Sequence, residues 1–344
     1  MSDSSIAFYR KYRPETWDAV RGQDHIVKIL KAAISGKLIG HAYLFTGSRG
    51  TGKTSVARIF AREAGVSPND IYEMDAASNR GIDEVRALRE AVETLPLESP
   101  YKVYILDEAH MLTKEAFNAL LKTLEEPPKH VIFILATTEL GKMPETIISR
   151  CETHTFKKPT HAILREMVIE TADAEGAKVE SAAADLIAIL GDGSFRDTQG
   201  ILQKAISFAG KKELTREMVE EVMGAPSGAL VTKMLEALAA QSVPDALAAI
   251  DTAIAHNVDM ATYAKLIMQG IRHVLLLRNA PAMRDRVAGE VTPEELALRE
   301  KLSKEKTIIS ATLLTFLDAY QSIPRAHLPQ IPLEVAIIRL LGEK

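Results

Sequence analysis

The clearest chemical signal in the sequence is a glycine-rich loop that ends in a lysine and a threonine. It runs from Gly47 to Thr54 and reads GSRGTGKT, which fits the pattern G-x-x-x-x-G-K-[ST] of a phosphate-binding P-loop. Glycines let the backbone N–H groups turn towards phosphates, and the following helix N-terminus adds partial positive charge. We expect Lys53 to reach the β- and γ-phosphates and the Thr54 hydroxyl to ligate Mg²⁺. The predicted cofactors are therefore ATP and Mg²⁺, held by Gly47, Ser48, Arg49, Gly50, Thr51, Gly52, Lys53, Thr54 and Ser55.

Two acids follow an apolar run about fifty residues further along the chain. The run Val103 to Leu106 ends in Asp107 and Glu108. Ligands bind at the carboxyl ends of buried parallel strands, so Asp107 is expected to join Thr54 in the Mg²⁺ shell. Glu108 is expected to orient and deprotonate the attacking water. An apolar strand followed by two acids is often only a strand end meeting solvent, but the P-loop makes the pair the second half of one site.

The residues after the acid pair complete the letters DEAH, which also occur in DEAH-box helicases. Those enzymes need a second α/β lobe to close over the nucleotide. Residues 160 to 344 are helical by pattern and offer no such lobe, so the sequence argues against a helicase.

Short apolar runs alternate with segments of helical period up to about residue 157, which predicts βα units around a mainly parallel sheet. The predicted helices of the P-loop region are Ser55 to Ala64 and Lys114 to Leu124. The first is closed by Gly65, whereas the second carries a core-facing apolar stripe and is stopped by Pro127 and Pro128. The predicted strands are Ala42 to Phe45, Ile71 to Met74, Val103 to Leu106, Val131 to Ala136 and Thr153 to Phe156.

After Lys157 the strand pattern gives way to amphipathic helices, and a turn-forming segment from Gly224 to Gly228 interrupts them. We therefore predict three domains: an α/β nucleotide-binding domain over residues 1–157, a helical lid over 158–223 and an all-α collar over 224–344. A length of 344 residues suits two or three cores.

Composition narrows the class of protein without identifying it. With 47% hydrophobic and 26% charged residues the chain is typical of a soluble globular protein, and no apolar run is long enough to span a membrane. A single cysteine, Cys151, excludes an internal disulfide and fits a reducing compartment, so we expect a cytoplasmic protein. The net charge of −4 argues against coating nucleic acid by bulk charge.

Two arginines stand at positions of interest. Arg150 lies in ISRC before the last predicted strand, and Arg196 lies in GSFRD at a helix start. A lone arginine is more often a solvated surface residue. Charge on the γ-phosphate in the transition state nevertheless requires an arginine besides the loop lysine, from the same chain or a neighbour.

Taken together, the motifs resemble those of the ATPase subunits of bacterial DNA polymerase III clamp loaders, the gamma/tau family of AAA+ proteins, and more distantly the small subunits of replication factor C. The resemblance covers nearly the whole chain. It is carried by YRKYRPETWDAVRGQ, HAYLFTGSRGTGKTS, MDAASNRGIDEVR, VYILDEAHMLTKEAFNALLKTLEEPP, FILATT, ISRC, GSFRD and IPLEVAIIRLL.

The resemblance implies roles for further residues. Arg150 would be the finger that reaches the ATP site of an adjacent subunit, and Arg196 the second sensor, which contacts nucleotide on its own chain. Thr138 would be the first sensor, between the acid pair and the γ-phosphate. Near the adenine would lie Tyr12, Arg13, Pro14 and Val20.

The resemblance also implies partners. These are other clamp-loader subunits in a ring of five, including delta and delta-prime, together with a sliding clamp and primer-template DNA. Helix N-termini and basic side chains inside the ring would follow the DNA backbone, and phosphate contacts carry no base information. The candidates for these contacts are Arg80, Lys114 and Lys122, for which ordinary solvated charge is an equal alternative.

The sequence departs from the family pattern in two places. The family usually carries a four-cysteine zinc module between the P-loop helix and the next strand, whereas Ala64 to Met74 is short and lacks cysteine, so zinc is not expected. The chain also stops at Lys344, as expected of the shorter gamma form.

The sequence therefore predicts an ATPase that helps to open a sliding clamp and load it onto primer-template DNA within the DNA polymerase III holoenzyme. One alternative is a non-catalytic architectural subunit, which the intact GTGKT, Asp107 and Glu108 disfavour. Another is a related branch-migration or initiator ATPase, which would carry a winged-helix pattern at its C-terminus; the helical ending PLEVAIIRLL shows none.

Overall fold

The computed structural model describes residues 6–79 and 81–342 of the chain. By their internal contacts these residues form two compact units. The first contains residues up to Glu166 together with Gly191–Gly200, and the second contains Met167–Leu190 and the chain from Ile201 onward. The predicted division into three domains stays a prediction.

A five-stranded sheet forms the centre of the first unit. Its strand order is β2-β3-β4-β1-β5, and all four pairings are parallel. The predicted parallel sheet is therefore confirmed, and each predicted strand lies within two residues of an observed one. The strands are β1 (Ala42–Thr46), β2 (Ile71–Asp75), β3 (Lys102–Asp107), β4 (Val131–Thr137) and β5 (Glu152–Thr155).

Burial follows strand position in the sheet. Every residue of β1 and β4 is buried, whereas the residues of the edge strand β2 are exposed or half-buried. Central parallel strands are covered on both faces, so they consist of nearly continuous apolar residues. The carboxyl ends of β1, β3 and β4 lie side by side, with Leu44 opposite Leu135 and Leu106 also opposite Leu135. This edge of the sheet is where the P-loop and the acid pair begin.

Helices cover both faces of the sheet in the first unit. One apolar cluster joins Leu106 and Phe133 of the sheet to Leu88 and Leu120 on two helices. A second cluster joins Phe45 and other strand residues to helices on the opposite face. The helices up to β5 are α1 (Phe8–Lys11), α2 (Asp24–Ser35), α3 (Lys53–Glu63), α4 (Ile82–Val92), α5 (Lys114–Glu125) and α6 (Glu145–Ile148), with short 3₁₀ turns at Trp17–Ala19, Pro68–Asp70, Ala109–Met111 and Leu140–Lys142.

The rest of the described chain is helical, as predicted. The helices are α7 (His161–Ala174), α8 (Ser181–Leu190), α9 (Phe195–Ala209), α10 (Arg216–Met223), α11 (Gly228–Ala240), α12 (Val243–Ala255), α13 (Met260–Asn279), α14 (Arg284–Ala288), α15 (Pro293–Lys304), α16 (Ser310–Ser322) and α17 (Ile331–Ile337); 3₁₀ turns at Pro281–Met283 and Ile323–Arg325 and a π-helical turn at Ile338–Gly342 complete them. Within the second unit α13 packs against α15 and α16, and α11 packs against α12. None of the helices described is both long and apolar enough to cross a membrane.

The predicted turn between α10 and α11 has a clear local cause. Gly224 ends α10 in the left-handed conformation at φ 59°, and the Ser227 side chain accepts a hydrogen bond from the Leu230 N–H to begin α11. Glycine after a helix and serine before one are the residues that satisfy these backbone ends best.

Candidate functional site

The P-loop connects the buried strand β1 directly to α3, which begins at Lys53. The turn depends on glycine at Gly50, where φ is +71° and a Cβ atom would lie 2.0 Å from Ser194 Oγ. The carbonyl of Gly50 accepts a hydrogen bond of 2.9 Å from the Phe195 N–H. No other residue type combines the left-handed backbone with so close an approach. The loop is thus fixed by a segment far along the sequence.

Lys53 is the first residue of α3 and is only 6% exposed. Its Nζ donates hydrogen bonds to the carbonyls of Gly47, at 2.7 Å, and Ser48, at 3.0 Å. Burial lowers the pKa of the lysine, and the nearby carboxylates of Glu108 and Asp107 oppose that shift. The ammonium group is therefore held within the loop, where phosphate oxygens could replace the two carbonyls as its partners.

The two halves of the predicted site meet at Thr54 and Asp107. The Thr54 hydroxyl donates a hydrogen bond of 2.8 Å to Asp107 Oδ2, across 53 residues of sequence. Hydroxyl and carboxylate oxygens are the hard ligands that Mg²⁺ accepts in proteins. The structure thus brings the two predicted metal ligands together, and the donor set fits Mg²⁺.

Glu108 has an unusual backbone conformation for a residue with a side chain. Its φ of 48° and ψ of 42° place it in the left-handed region. Such a conformation carries a free-energy cost of order 1–2 kcal/mol, and strain of this kind concentrates at functional sites. The turn points the Glu108 carboxylate to Thr138, whose hydroxyl donates a 2.8 Å hydrogen bond to Glu108 Oε2. The predicted base and the predicted first sensor are therefore in direct contact.

A histidine that the sequence interpretation left without a role lies beside this pair. His110 Nδ1 is 3.0 Å from Thr137 Oγ1 and 3.5 Å from Glu108 Oε2. Its Nε2 is 3.5 Å from Glu139 Oε1. The DEAH motif drew attention to His110. Its partners Thr137 and Glu139 lie at and just after the end of β4, so the sequence around His110 could not predict these contacts.

Arg196 contacts a residue that sequence reasoning missed. Its guanidinium lies 4.7 Å from the ring centroid of Tyr9, within the range of a cation–π contact. Hydrogen bonding and charge from Arg10, followed by the hydrogen bond from Arg196, lower the pKa of the Tyr9 hydroxyl. The segment with Arg196 belongs to the first unit, as do Tyr9 and the P-loop. No sequence signal connects Tyr9 with Arg196, because Tyr9 lies in the short helix α1, far from Arg196 along the chain.

The four residues predicted near the adenine are close to α1 and the core. Tyr12 packs edge-on against Phe8 at 5.7 Å, and Val20 packs against the apolar cluster around α3. Arg13 is half-buried; burial and the neighbouring Arg58 lower its pKa, while Glu73 and Asp107 oppose that effect. Pro14 is half-buried beside it, and contact of these residues with adenine stays a prediction.

Arg150 is bonded to the acidic end of α5. Its guanidinium donates a 2.5 Å hydrogen bond to Glu125 Oε1 and a 2.8 Å bond to the Thr146 carbonyl. Among the described residues no hydrogen bond connects Arg150 with Lys53 or Glu108. The structure therefore does not bring Arg150 together with the other predicted site residues of this chain.

The predicted DNA contacts are only partly described. Lys114 and Lys122 are exposed on α5, whereas Arg80 lies outside the described residues. Lys114 is the first residue of the helix, directly after the capping residue Thr113. A lysine there opposes the helix dipole. Its position is therefore not explained by helix stability.

Family models match two parts of the chain. Residues 63–160 match the model of the DNA polymerase III delta subunit. Residues 214–344 match the model of domain III of the gamma and tau subunits of DNA polymerase III.

Similar curated proteins extend over nearly the whole chain. The tau subunit of Bacillus subtilis DNA polymerase III is 39% identical, over 97% of this chain and 63% of the relative. The gamma/tau subunit of Mycobacterium tuberculosis is 35% identical, over 98% of this chain and 62% of the relative. The Escherichia coli tau subunit is 31% identical, over 97% of this chain and 55% of the relative. The chain thus spans about 55–63% of the length of these relatives.

Solved structures support the fold. The RuvB Holliday junction branch migration motor of Thermotoga maritima superimposes with a TM-score of 0.53 at 22% identity, over 66% of this chain and 79% of that one. At this identity the likeness concerns the fold alone. With the parallel sheet and the helical segments that follow, it confirms the predicted fold class, an α/β P-loop AAA+ domain followed by helical regions.

Proposed function

Because the chain belongs, over the region that it spans, to the gamma/tau family of DNA polymerase III subunits, we propose that it is an ATP-driven motor subunit of a clamp loader. It would help to open a sliding clamp and load it onto primer-template DNA during replication. The observation that carries the proposal is the 2.8 Å hydrogen bond between Thr54 and Asp107, which joins the P-loop to the acid pair in one site. An architectural subunit has no need of that junction.

The residues of the loop bind and orient the triphosphate. Lys53 exchanges the Gly47 and Ser48 carbonyls for phosphate oxygens, and the backbone N–H groups at the start of α3 face the same charge. Thr54 and Asp107 would hold Mg²⁺, which would supply positive charge to neutralise the phosphates. The buried position of Lys53 strengthens its interaction with phosphate because water screens it less.

Hydrolysis requires a base and further positive charge. Glu108 accepts a proton from the attacking water, and its contact with Thr138 holds the carboxylate in place before the reaction. Arg196 senses nucleotide on its own chain. Arg150 leaves Glu125 to complete the site of an adjacent subunit, as an arginine finger supplied in trans. The cycle is a conformational switch, in which ATP orders the assembly and hydrolysis releases it.

The partners follow from the same proposal. They are the other subunits of a five-membered clamp loader, including delta and delta-prime, the sliding clamp and primer-template DNA. Residues from 224 onward would form the collar that joins subunits. Lys114 and Lys122 would contact the DNA backbone and recognise its shape rather than its sequence.

The test is the rate of ATP hydrolysis with and without the clamp and primed DNA. We expect both together to stimulate turnover of the assembled loader, and we expect Lys53→Ala to abolish that stimulation. A rate that is indifferent to clamp and DNA would contradict the clamp-loader role while leaving an ATPase.

The match of residues 63–160 to a delta-subunit model keeps the architectural subunit as the second candidate. Titration with a fluorescent ATP analogue separates the two proposals. A motor subunit binds the analogue saturably and loses it in Lys53→Ala, whereas an architectural subunit shows no saturable binding.

A further inference from the structure

His110 is the one polar member of the DEAH sequence that the proposed hydrolysis site does not use. It lies in the 3₁₀ turn Ala109–Met111 directly after Glu108, and its side chain is 5% exposed. Burying an imidazole removes water from both ring nitrogens, so each needs a polar partner. The identity of those partners decides whether the residue serves the fold or the site.

The partners of His110 are side chains next to the predicted base and the predicted first sensor. Nδ1 faces Thr137 Oγ1 at 3.0 Å and Glu108 Oε2 at 3.5 Å. Nε2 faces Glu139 Oε1 at 3.5 Å. A histidine that only satisfied the fold could use backbone carbonyls, as His130 does with Val92 and Thr94, both at 3.1 Å.

The contacts converge on one oxygen of the base. Thr138 donates its 2.8 Å hydrogen bond to Glu108 Oε2, the same atom that lies beside His110 Nδ1. Among the described residues no hydrogen bond is formed to Glu108 Oε1. Oε2 thus accepts a hydrogen bond from Thr138 and lies beside the His110 ring, whereas Oε1 is the oxygen left to accept a proton from water.

The same contacts connect the base to the loop after β4. The Glu139 N–H donates a 3.1 Å hydrogen bond to Thr137 Oγ1, and the Glu139 carboxylate is paired with Lys142 at 2.8 Å. Thr137 is fully buried at the end of a central strand. His110 therefore contacts a rigid strand end through one ring nitrogen and an ion-paired loop through the other.

We propose that His110 is a positioning residue for hydrolysis: together with Thr138 it holds Glu108 by Oε2, and it anchors that arrangement to Thr137 and Glu139. The inference rests on the proposed ATPase function. His110 acts through Glu108 and touches neither the nucleotide nor the reacting water. Removing the His110 side chain leaves ATP binding intact but lets the Glu108 carboxylate rotate out of its reactive orientation. The strained backbone at Glu108 does not prevent that rotation by itself.

The experiment uses the full chain with His110→Ala, His110→Asn and the control His130→Ala. For His110→Ala we expect kcat to fall about tenfold, because base catalysis depends on placement within hydrogen-bond reach, while the dissociation constant of a fluorescent ATP analogue changes less than about twofold. His110→Asn should recover at least about a third of the wild-type kcat, because its amide can occupy the position of Nδ1. His130→Ala should keep kcat within about twofold of wild type, since changes far from the chemistry leave transition-state binding intact.

A double-mutant cycle separates positioning from a structural role. In a Glu108→Gln background, single-turnover phosphate release should change less than about twofold on His110→Ala, because residues that act as a unit are not additive. An undiminished tenfold loss in that background, a wild-type kcat for His110→Ala, or a loss of ATP affinity that His110→Asn does not restore would each overturn the inference. Absence of hydrolysis by the wild-type chain and its assembly would instead overturn the proposed function and this inference with it.

Discussion

Arg150 and Glu125 form an ion pair within one chain, with 2.5 Å between the guanidinium and Glu125 Oε1. The side chains are 33% and 49% exposed. A pair this exposed contributes about 0–1 kcal/mol, so it can be opened at little cost. The pair therefore keeps Arg150 at the surface and opposes its proposed transfer to a neighbouring subunit only weakly.

Arg150→Ala should leave nucleotide binding by its own chain within about twofold and depress hydrolysis in the assembly by roughly a hundredfold or more. Mixing tests whether the finger acts in trans. The Arg150→Ala variant keeps its own nucleotide site but has no arginine to offer a neighbour. The Lys53→Ala variant keeps that arginine but has lost its own nucleotide site. Loaders assembled from both variants should therefore recover activity that loaders built from either variant alone lack. No recovery would mean that Arg150 acts within its own chain.

Lys53→Ala and Glu108→Gln should separate binding from hydrolysis. Loss of the buried ammonium group removes the charge that faces the phosphates, so Lys53→Ala should bind an ATP analogue at least about a hundredfold more weakly. Glu108→Gln keeps the shape of the base but cannot accept a proton, so it should bind ATP normally and stall. Equilibrium binding and single-turnover hydrolysis measure the two steps. Normal turnover by Glu108→Gln would exclude Glu108 as the base.

The sequence predicted those parts of the site whose functional residues are neighbours along the chain. Lys53 and Thr54 follow one loop, and the acids follow one strand, so each motif is local. Their meeting follows from a parallel sheet, because the carboxyl ends of its strands share one edge. The contacts that sequence could not predict are set by packing between distant segments, as for Tyr9 with Arg196 and for Ser194 with Gly50.

The helical region illustrates the same limit. Periodicity predicted helices and the break at Gly224, because glycine acts there through its own backbone. It gave no indication that Gly191–Gly200 belongs with the first unit. That grouping depends on through-space contacts such as the Phe195 N–H with the Gly50 carbonyl, for which no pattern of residue types exists.

Gly50→Ala should destabilise the first unit more than Gly65→Ala. Both glycines have positive φ, +71° and +82°, but an added Cβ at Gly65 meets nothing within 4 Å, whereas at Gly50 it would clash with Ser194. Strain alone should lower the free energy of unfolding by about 1 kcal/mol at Gly65, and the clash should raise the loss to roughly 2–4 kcal/mol at Gly50. Trp17, the sole tryptophan, is buried in this unit and reports its urea unfolding by fluorescence. Equal losses would contradict the close approach of Ser194.

The second unit should lose stability as the pH falls below about 6.5, because of His273. This side chain is fully buried; its Nε2 contacts Glu290 Oε2 at 2.8 Å, and Arg299 donates a 3.0 Å hydrogen bond to its Nδ1. Burial, the larger effect, lowers the pKa of His273, and Glu290 opposes it. The unfolded chain then binds the proton more readily, so the stability that neutral His273 contributes is complete above the unfolded pKa and is lost as the pH falls from there through the lower folded pKa.

His273→Gln tests this sign. Between about pH 7.5 and 5.5 the unfolding free energy of the wild type should decrease. The decrease in the variant should be smaller by about 1 kcal/mol or more. Glu220, whose pKa burial raises, acts in the opposite direction, but it is present in both proteins and cancels in the difference. Far-UV circular dichroism follows the helices, and Trp17 fluorescence serves as the control for the first unit. A wild-type slope that persists in His273→Gln would contradict the assignment.

Lys114 and Lys122 should contribute to DNA binding by neutralising phosphates. Both are exposed on α5, and Lys114 opposes the helix dipole, so its removal should not weaken the helix. The double change to alanine should weaken primed-DNA binding about tenfold at moderate salt and reduce the slope of log K against log salt by about 0.9 for each phosphate that the protein no longer neutralises. Lys129→Ala, an exposed lysine beyond the end of α5, is the matched control and should keep the wild-type slope. If the double variant kept that slope as well, these lysines would be ordinary solvated charge.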